Sequence, residues 1–354
     1  MKYKDLYLIL ILLFLASSVL AVSTQTKPST QPTIRKAPIK CVSPTPKSWS
    51  RDDVILAFES AGKIGRMVNL SDPVDLWHAK GKSAESSKPY QDHRWQSVML
   101  KQYDLEPFIQ MDPYKNRRGK IPDLPSGVKS ASFSDPVLRK AFIADAVWRT
   151  KLYEPRFLCL AMEINSYYEQ NPGDFGYFVS LFKEARKAVK EISPETLVFV
   201  SFQYEQLLGK FGGQGDLRKH KPHWHLLEMF EPDQDAVGIS TYPMESFVPT
   251  KFGPASALPD DYYRVLREHT KKPIIFTEVG WPSDSDFGGS PQSQAAFLKR
   301  FQVLIKDLNV PLVNWYFLYD LKGYGPVFES MGLFDSKGKP KPSYAVWSRL
   351  WALQ

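Results

Sequence analysis

The chain has 354 residues, of which 43% are hydrophobic and 14% aromatic, a composition typical of one large globular domain or two small ones. Its formal net charge is +8 at pH 7, from 46 basic and 38 acidic residues. The basic residues are scattered apart from the run KNRRGK at 115–120, so the sequence does not favour nucleic acid as a partner.

The first residues predict a leader for export rather than a part of the fold. Two lysines precede the apolar run LYLILILLFLASSVLA, in which Val19 and Ala21 fit the small-x-small pattern of a cleavage site. We expect residues 1–21 to be a signal peptide; the alternative is an uncleaved membrane anchor, although the apolar stretch is short for a full span. Residues 22–38 are rich in Ser, Thr, Pro and Lys and predict a flexible linker. The folded part, 39–354, is therefore expected to be secreted or extracytoplasmic, and to be a monomer.

Two cysteines, Cys41 and Cys159, are present. In an exported protein such a pair could form a disulfide. Both cysteines lie inside short apolar segments far apart in the chain, so the sequence favours two small buried thiols.

Eight short apolar runs alternate with longer helical patterns along the rest of the chain. Runs of this length are typical of strands that are buried on both faces. In chain order they are IKCVS, RMVNL, PFIQM, RFLCLA, TLVFVSF, AVGIS, PIIFT and PLVNWYF.

Helix signals fill the gaps between these runs. Ser50 is expected to cap a helix that has two aspartates in its first turn. SDP at 134–136 and SPQ at 290–292 each place a capping residue before a proline at the first helical position. The segment 172–192 carries apolar side chains at helical spacing, and KPSYAVWSRLWAL predicts a closing amphipathic helix.

The alternation of strands and helices indicates parallel strand pairing. Eight strand–helix units predict an α/β fold made of a single (β/α)8 TIM barrel rather than an open doubly wound sheet. A glycine-rich phosphate turn would favour the open sheet, but GKFGGQG at 209–215 follows a late strand.

The ends of the predicted strands carry the candidate active site, because active sites of such barrels lie at the C-terminal ends of the strands. Glu163 follows the fourth run and Glu278 follows the seventh. Two facing carboxylates are what cleavage of a glycosidic bond requires. Either glutamate alone would be interpreted as a rim charge, whereas the pair favours a site. The candidates for binding substrate at the strand ends are Asp112, Asn165, Gln203, Tyr242, Trp281 and Trp315, with a packing role equally open for Trp281.

Two motifs, CLAMEIN and IIFTEVGWPS, resemble those of clan A of the glycoside hydrolases, the retaining (β/α)8 enzymes. In motif the chain is most similar to the endo-1,3-β-glucanase and endo-1,4-β-galactanase families. The resemblance implies that Glu163 is the acid/base and Glu278 the nucleophile, that Tyr242 holds the nucleophile, and that Trp315 floors the sugar subsite. It implies a hydrolase that cleaves β-linked polysaccharide or oligosaccharide by double displacement. We expect no cofactor and no metal.

One position departs from the pattern of the clan, which has Asn directly before the acid/base, where it binds the sugar 2-hydroxyl. Here that position is Met162. Such a contact strengthens in the transition state, so its loss costs rate. The alternative function is therefore a catalytically inactive carbohydrate-binding barrel. Asn165 shares the strand parity of Glu163 and is a candidate to supply the missing amide.

Strand parity also predicts the surroundings of the two glutamates. Cys159 and Ala161 are expected to face inward with Glu163, and Phe276 to face inward below Glu278. Both glutamates come first among the carboxylates after their runs, so we expect similar depth and a separation of about 5 Å, which implies retention of configuration.

The run HKPHWH places His220, His223 and His225 close together. A metal site requires an ordinary ligand spacing and a further ligand, and the sequence shows no carboxylate partner. We therefore predict a solvated loop that leads into a helix.

Overall fold

The computed structural model describes residues 37–74, 88–114, 121, 128, 131–210, 220–231, 233–244 and 254–351. The predicted signal peptide at 1–21 lies outside these residues, as do the KNRRGK run and all but the last two residues of the predicted linker. Within the described ranges, no helix has the length and apolar character needed to cross a membrane.

The described residues include nine strands of one sheet, and every strand pair in it is parallel. In chain order the strands are β1 (Ile39–Val42), β2 (Met67–Pro73), β3 (Glu106–Asp112), β4 (Phe157–Cys159), β5 (Leu197–Phe199), β6 (Ser201–Gln203), β7 (Val237–Thr241), β8 (Ile274–Val279) and β9 (Leu312–Trp315).

The sheet closes into the predicted (β/α)8 barrel. Its strand order is β5-β4-β3-β2-β1-β9-β8-β7-β6, with β5 and β6 at opposite ends. Only Val200 separates β5 from β6 in the chain, so these two strands are the halves of the fifth barrel strand. Each of the eight predicted apolar runs overlaps a strand, and the fifth run overlaps both halves. The sequence prediction of the fold class is confirmed.

All the helices except the last, which follows β9, lie between strands in the chain. They are α1 (Arg51–Ile64), α2 (Lys88–Gln102), α3 (Pro136–Tyr153), α4 (Ile164–Gln170), α5 (Pro172–Ile192), α6 (Tyr204–Leu207), α7 (His225–Glu228), α8 (Leu266–His269), α9 (Pro291–Ile305) and α10 (Pro342–Arg349). Short 3-10 helices occupy Ala255–Ala257, Ser285–Phe287 and Phe328–Ser330.

The predicted capping residues begin three of these helices. Ser50 accepts a hydrogen bond from the backbone N–H of Asp53 at 3.3 Å. Asp135 caps α3 and Ser290 caps α9, each directly before a proline at the first helical position. These side chains bind backbone N–H groups that have no partner within the helix. Sequence-local chemistry thus defines where the helices start.

The buried apolar side chains form two clusters. The inner cluster draws on strands all round the sheet and therefore fills the barrel; it consists of Cys41, Met67, Phe108, Phe157, Cys159, Phe199, Ala236, Ile275 and Leu312. The outer cluster packs the helices against the strands. Cys41 and Cys159 are free buried thiols, as predicted, and burial raises the pKa of Cys159 to about 12.

A bulge interrupts the side-chain alternation of β8. Ile275 belongs to the inner cluster, whereas Phe276 packs outside the barrel on Phe301 of α9, with ring centroids 4.9 Å apart. The register against β7 shifts after Phe276, so that Ser240 lies opposite Glu278. The prediction that Phe276 faces inward below Glu278 is wrong, because the extra residue changes the parity between them.

Candidate active site

Glu278 is the second-last residue of β8 and is only 4% exposed. Its Oε2 accepts a hydrogen bond from the hydroxyl of Tyr242 at 2.8 Å. Its Oε1 accepts from Nε2 of Gln110 on β3 at 3.4 Å. Since β3 is not a neighbour of β8 in the sheet, this second contact shows that the carboxylate points across the barrel. Donors of this kind stabilise a negative charge on the carboxylate.

Glu163 follows β4 and precedes the first residue of α4. Its backbone is left-handed, with φ of +44°, a conformation that costs a non-glycine residue roughly 1–2 kcal/mol. Its N–H donates to Oγ of Ser201 at 2.9 Å, which holds the backbone in this conformation. Its Oε1 accepts a hydrogen bond from the hydroxyl of Ser240 at 2.5 Å. The strained turn thus delivers the side chain of Glu163 to β7.

Strand β7 connects the two carboxylates. Ser240 lies on β7 and Tyr242 directly follows the strand; because the two are two residues apart, alternation gives them the same direction. Ser240 binds Glu163, and Tyr242 binds Glu278. Burial raises the pKa of Tyr242 well above its ordinary value, and the charges of Glu278, Tyr316 and Glu163 raise it further. Both carboxylates therefore lie within electrostatic range of one hydroxyl group.

Gly280 makes room for the ring that binds Glu278. A Cβ atom at Gly280 would lie 2.7 Å from Cε1 of Tyr242 and 2.7 Å from Sδ of Met331. Neither distance is compatible with a real side chain, so the backbone can approach Tyr242 only where the residue is glycine. This contact gives a physical reason for the glycine that follows Glu278 so closely in the motif.

Glu205 fixes the end of β7 from inside the protein and is fully buried. Its carboxylate accepts hydrogen bonds from Nε2 of Gln203 at 2.8 Å, from the hydroxyls of Thr241 at 2.7 Å and Tyr262 at 3.0 Å, and from the N–H of Tyr242 at 3.1 Å. Burial raises the pKa of Glu205, although these hydrogen bonds oppose the shift. Gln203 therefore acts on the site through Glu205 and Tyr242.

Asn165 does not replace the amide that is missing at Met162. It is 1% exposed, and its side chain binds the backbone of Gln203 at both ends, with Nδ2 donating to the carbonyl and Oδ1 accepting from the N–H, each at 2.9 Å. The side chain of Gln203 in turn accepts from the N–H of Gln206 at 2.6 Å and caps α6. We correct the predicted substrate contacts of Asn165 and Gln203: both side chains position the protein's own backbone.

Met162 is 4% exposed, and its Sδ lies 2.8 Å from the hydroxyl of Ser71 on β2. The position before Glu163 therefore offers a thioether, which is only a weak acceptor, where an amide would both donate and accept.

Asp112 lies at the end of β3 as predicted and is partly buried; its Oδ1 accepts from the N–H of Tyr114 at 3.3 Å.

Trp281 lies in the outer core. It is 2% exposed, and its ring stacks on that of Phe297 in α9, with centroids 4.7 Å apart and planes 19° apart. The structure thus favours the packing role over the predicted substrate contact.

The structure also places the ring of Trp315 away from the barrel mouth. This corrects the prediction that Trp315 forms the floor of the sugar subsite. It is fully buried, and its ring contacts Phe297 and Trp347 of the outer helices. Because Leu312 belongs to the inner cluster, alternation turns Trp315 outward and gives Tyr316 the inward parity. Tyr316, which directly follows β9, is half-buried, and it contributes to the raised pKa of Tyr242.

Neither of two hydrogen-bond donors to the carboxylates, Ser240 and Gln110, was predicted to contact a glutamate, although the sequence places Gln110 at a strand end that faces the barrel mouth. A signal for both was available, since each lies on the inward face near the end of its strand. Ser240 is two residues before Tyr242, and Gln110 is two residues after the inner-cluster residue Phe108. Parity alone, however, does not tell which of several inward polar residues contacts a carboxylate.

The histidine run precedes α7, which begins at His225, so the predicted loop and helix start are confirmed. Nε2 of His220 lies 3.2 Å from Oε1 of Glu169, and the rings of His220 and His223 stack with centroids 3.9 Å apart. Burial lowers the pKa of His223, and the neighbouring His220 and His225 lower it further. Glu169 is thus a carboxylate partner of His220 that the sequence did not reveal.

No protein-family model matches the chain, and no curated protein matches it. Solved structures do match. The exo-β-1,4-mannosidase Op5Man5 from Opitutaceae bacterium strain TAV5 has a TM-score of 0.63 and 17% identity over 89% of this chain and 59% of its own. The chain thus spans less than two thirds of that mannosidase.

Two further structures are matched by this chain over a larger share of their own length. The GH5_18 protein from Streptomyces cattleya in complex with GlcNAc has a TM-score of 0.65 and 14% identity over 90% of this chain and 80% of its own. Xylanase 10B from Thermotoga petrophila RKU-1 in complex with xylobiose has a TM-score of 0.58 and 12% identity over 89% and 94%. The chain therefore has a (β/α)8 barrel fold similar to those of glycoside hydrolases.

Proposed function

We propose that this protein is a retaining glycoside hydrolase that cleaves β-glycosidic bonds in a polysaccharide or oligosaccharide. The observation that carries the proposal is the arrangement of two carboxylates around β7. Ser240 binds Glu163 and lies opposite Glu278 in the register, and Tyr242 binds Glu278. Adjacent strands are about 4.8 Å apart, so this register brings the two side chains to one mouth.

In the first step Glu278 attacks the anomeric carbon of the sugar. The bond to the leaving oxygen breaks, and Glu163 gives its proton to that oxygen, which leaves a glycosyl group on Glu278. In the second step Glu163, now ionised, removes a proton from a water molecule. That water attacks the anomeric carbon and releases Glu278 as a carboxylate, so the net reaction is hydrolysis.

Tyr242 would keep Glu278 in the form that attacks. Since the pKa of Tyr242 is raised, its hydroxyl retains its proton at neutral pH and remains a donor to Oε2. The donor stabilises the ionised nucleophile and fixes which oxygen is left to attack. Gln110 donates to Oε1, so this weaker contact of 3.4 Å would give way as the bond to the sugar forms.

The structural neighbours support a β-linked substrate. Structures similar to this chain include GH5_18 proteins in complex with Manb1-4GlcNAc and a xylanase in complex with xylobiose. By analogy we propose a β-linked oligosaccharide or polysaccharide for this chain. The leader pattern further supports a place of action outside the cytoplasm.

A second candidate function is a carbohydrate-binding barrel without catalysis. Met162 favours it, because a buried thioether stands where an amide would bind the sugar 2-hydroxyl in the transition state. Turnover by the wild-type protein distinguishes the two functions: a hydrolase cleaves a β-glycan, whereas a binding protein binds it without turnover. If Met162 is the cause of such a loss, Met162→Asn should restore turnover.

The test of the proposal is a screen of the wild-type protein and Glu278→Gln against β-glucans, β-galactans, mannans and uronate-containing polymers, with release of reducing ends as the readout. We expect turnover by wild type and none by Glu278→Gln, with oligosaccharide binding retained. Glu191→Gln is the matched control, because Glu191 is exposed on α5. Turnover by Glu278→Gln at the wild-type rate contradicts the assignment; binding without turnover by wild type favours the second candidate.

A further inference from the structure

Three side chains outside the two-carboxylate site converge at the surface of the barrel. Glu169 lies on α4, the helix that begins directly after Glu163, and His220 and His223 precede α7. One ligand atom from each of these residues lies within 4.8 Å of the other two. We call Glu169, His220 and His223 the histidine–glutamate cluster.

The hydrogen bonds of His220 place a lone pair toward a negative charge. Nδ1 lies 2.7 Å from the carbonyl oxygen of Lys221, which can only accept, so Nδ1 carries the proton of the neutral ring. Nε2 is then an acceptor, yet it lies 3.2 Å from Oε1 of Glu169. Two acceptors at this distance repel each other unless a cation or a second proton lies between them.

His223 supplies the second, independent observation. Its Nδ1 is buried and has no hydrogen-bond partner within the described part of the chain. Leaving such a polar atom unpaired costs roughly 1–3 kcal/mol, so a buried imidazole nitrogen without a partner indicates a ligand. The ring stacks on that of His220 with centroids 3.9 Å and planes 14° apart, and one ligand atom of each ring lies within 4.8 Å of the other and of a carboxylate oxygen of Glu169.

We propose that the histidine–glutamate cluster binds one divalent transition-metal ion, with Zn²⁺ as the best fit. Two imidazole nitrogens and one carboxylate oxygen are a common set of three protein ligands for zinc, and water completes the tetrahedron. Calcium and magnesium prefer six or more oxygen ligands, so the cluster disfavours them. The two rings are nearly parallel, and their lone pairs converge on one ion only after a rotation about χ2, which is a soft torsion.

The metal site would link helix α4 to the connection that follows β6 and α6. Glu169 lies on the helix that starts after Glu163, and both histidines lie in the connection that follows β6 and α6. The ion would thus fix the connection after β6 against α4, and its ligands do not include either carboxylate of the proposed catalytic pair.

The experiment is calorimetric titration of the full chain, stripped of metal with a chelator, with ZnCl₂ near neutral pH. We expect saturable binding of one ion, and no comparable binding of MgCl₂ or CaCl₂. His220→Gln and His223→Gln should lose this binding, and Glu169→Gln should weaken it at least tenfold, since even changes outside the ligand shell cost about that much. His225→Gln is the matched control, because its ring packs 5.6 Å from that of His223 but is not in the cluster.

A second measurement protects the result against variants that do not fold. Co²⁺ in place of zinc should give the visible absorption bands of a tetrahedral site in wild type and in His225→Gln, and circular dichroism should show that every variant is folded. Absence of saturable zinc binding by the folded wild type overturns the proposal. Undiminished binding by folded His223→Gln overturns it equally.

Discussion

Ser240 donates a hydrogen bond to Oε1 of Glu163 at 2.5 Å. The same serine lies opposite Glu278 in the register of β7 and β8, directly after the bulge in β8. One hydroxyl group thus orients the proposed acid/base from the strand next to the proposed nucleophile. The bulge is what makes this possible, because without the extra residue Ser240 would face Thr277 and Glu278 would point toward the helices.

Ser240→Ala should lower kcat more than it changes KM. A hydrogen bond to a charged group contributes about 1.5–3 kcal/mol, so the loss of orientation at Glu163 should reduce kcat by roughly 10- to 100-fold. Ser240→Thr keeps the hydroxyl and should recover most of the rate. Steady-state kinetics on the best substrate of the polysaccharide screen measure both variants. Equal kcat for wild type and Ser240→Ala would show that Ser240 has no part in orienting Glu163.

Glu163→Gln should depend strongly on the leaving group. Loss of general acid catalysis costs about 10²- to 10⁴-fold where the departing oxygen needs a proton, and much less where it departs readily as a phenolate. We therefore expect near-zero turnover of natural oligosaccharides and partial turnover of activated aryl β-glycosides. The ratio of kcat/KM for the two substrate classes is the measurement. A loss of kcat/KM of the same size on both substrate classes would show that Glu163 is not the general acid.

The first product of hydrolysis should keep the β configuration. We predict that the carboxylates of Glu163 and Glu278 lie about 5 Å apart, a separation that leaves no room for water between carboxylate and sugar and requires direct attack by Glu278. Proton NMR of the anomer released in the first minutes measures the outcome before mutarotation mixes the two forms. Appearance of the α anomer first would mean inversion, and Glu278 would then have to act on a water molecule.

Glu205 should make stability depend on pH in a predictable direction. Burial raises its pKa in the folded state above the ordinary value of 4.5, so the folded protein holds this proton at pH values where the unfolded chain has lost it. The contribution of Glu205 to stability is therefore complete below 4.5 and is lost as the pH rises through the raised pKa.

Glu205→Gln removes this titration. Relative to the variant, the free energy of unfolding of wild type should fall as the pH is raised from 4.5 through the raised pKa of Glu205. Urea denaturation of both proteins across this range measures the difference. A difference that stays constant, or that grows in favour of wild type, would contradict the raised pKa.

Trp281→Ala should reduce stability and leave sugar binding nearly unchanged. Truncating a buried tryptophan costs about 3–5 kcal/mol, and Trp281 is 2% exposed against Phe297. Trp49→Ala is the control for the loss of an indole, since Trp49 is 70% exposed and should cost little. Urea denaturation gives the stabilities, and oligosaccharide binding to each variant in a Glu278→Gln background gives the affinities. A large loss of affinity with unchanged stability would instead show that Trp281 contacts the substrate.

The sequence by itself determined the barrel. Eight apolar runs, the caps at Ser50, Asp135 and Ser290, and the alternation of strand and helix are properties of residues close together in the chain, so local chemistry suffices to predict them. The placement of Glu163 and Glu278 at the mouth followed from the same information, because the C-terminal ends of the strands form the mouth of a parallel barrel.

Only the tertiary structure decided which side chains meet. The bulge in β8 depends on the register with β7, so parity along β8 alone misplaced Phe276. Trp315 and Asn165 are held by partners on other elements, which no pattern within a few residues can reveal. Glu169 and His220 are 51 residues apart, and folding alone brings the carboxylate to the imidazole. Local periodicity determines where elements form, whereas contacts between elements depend on packing between residues that are distant in the chain.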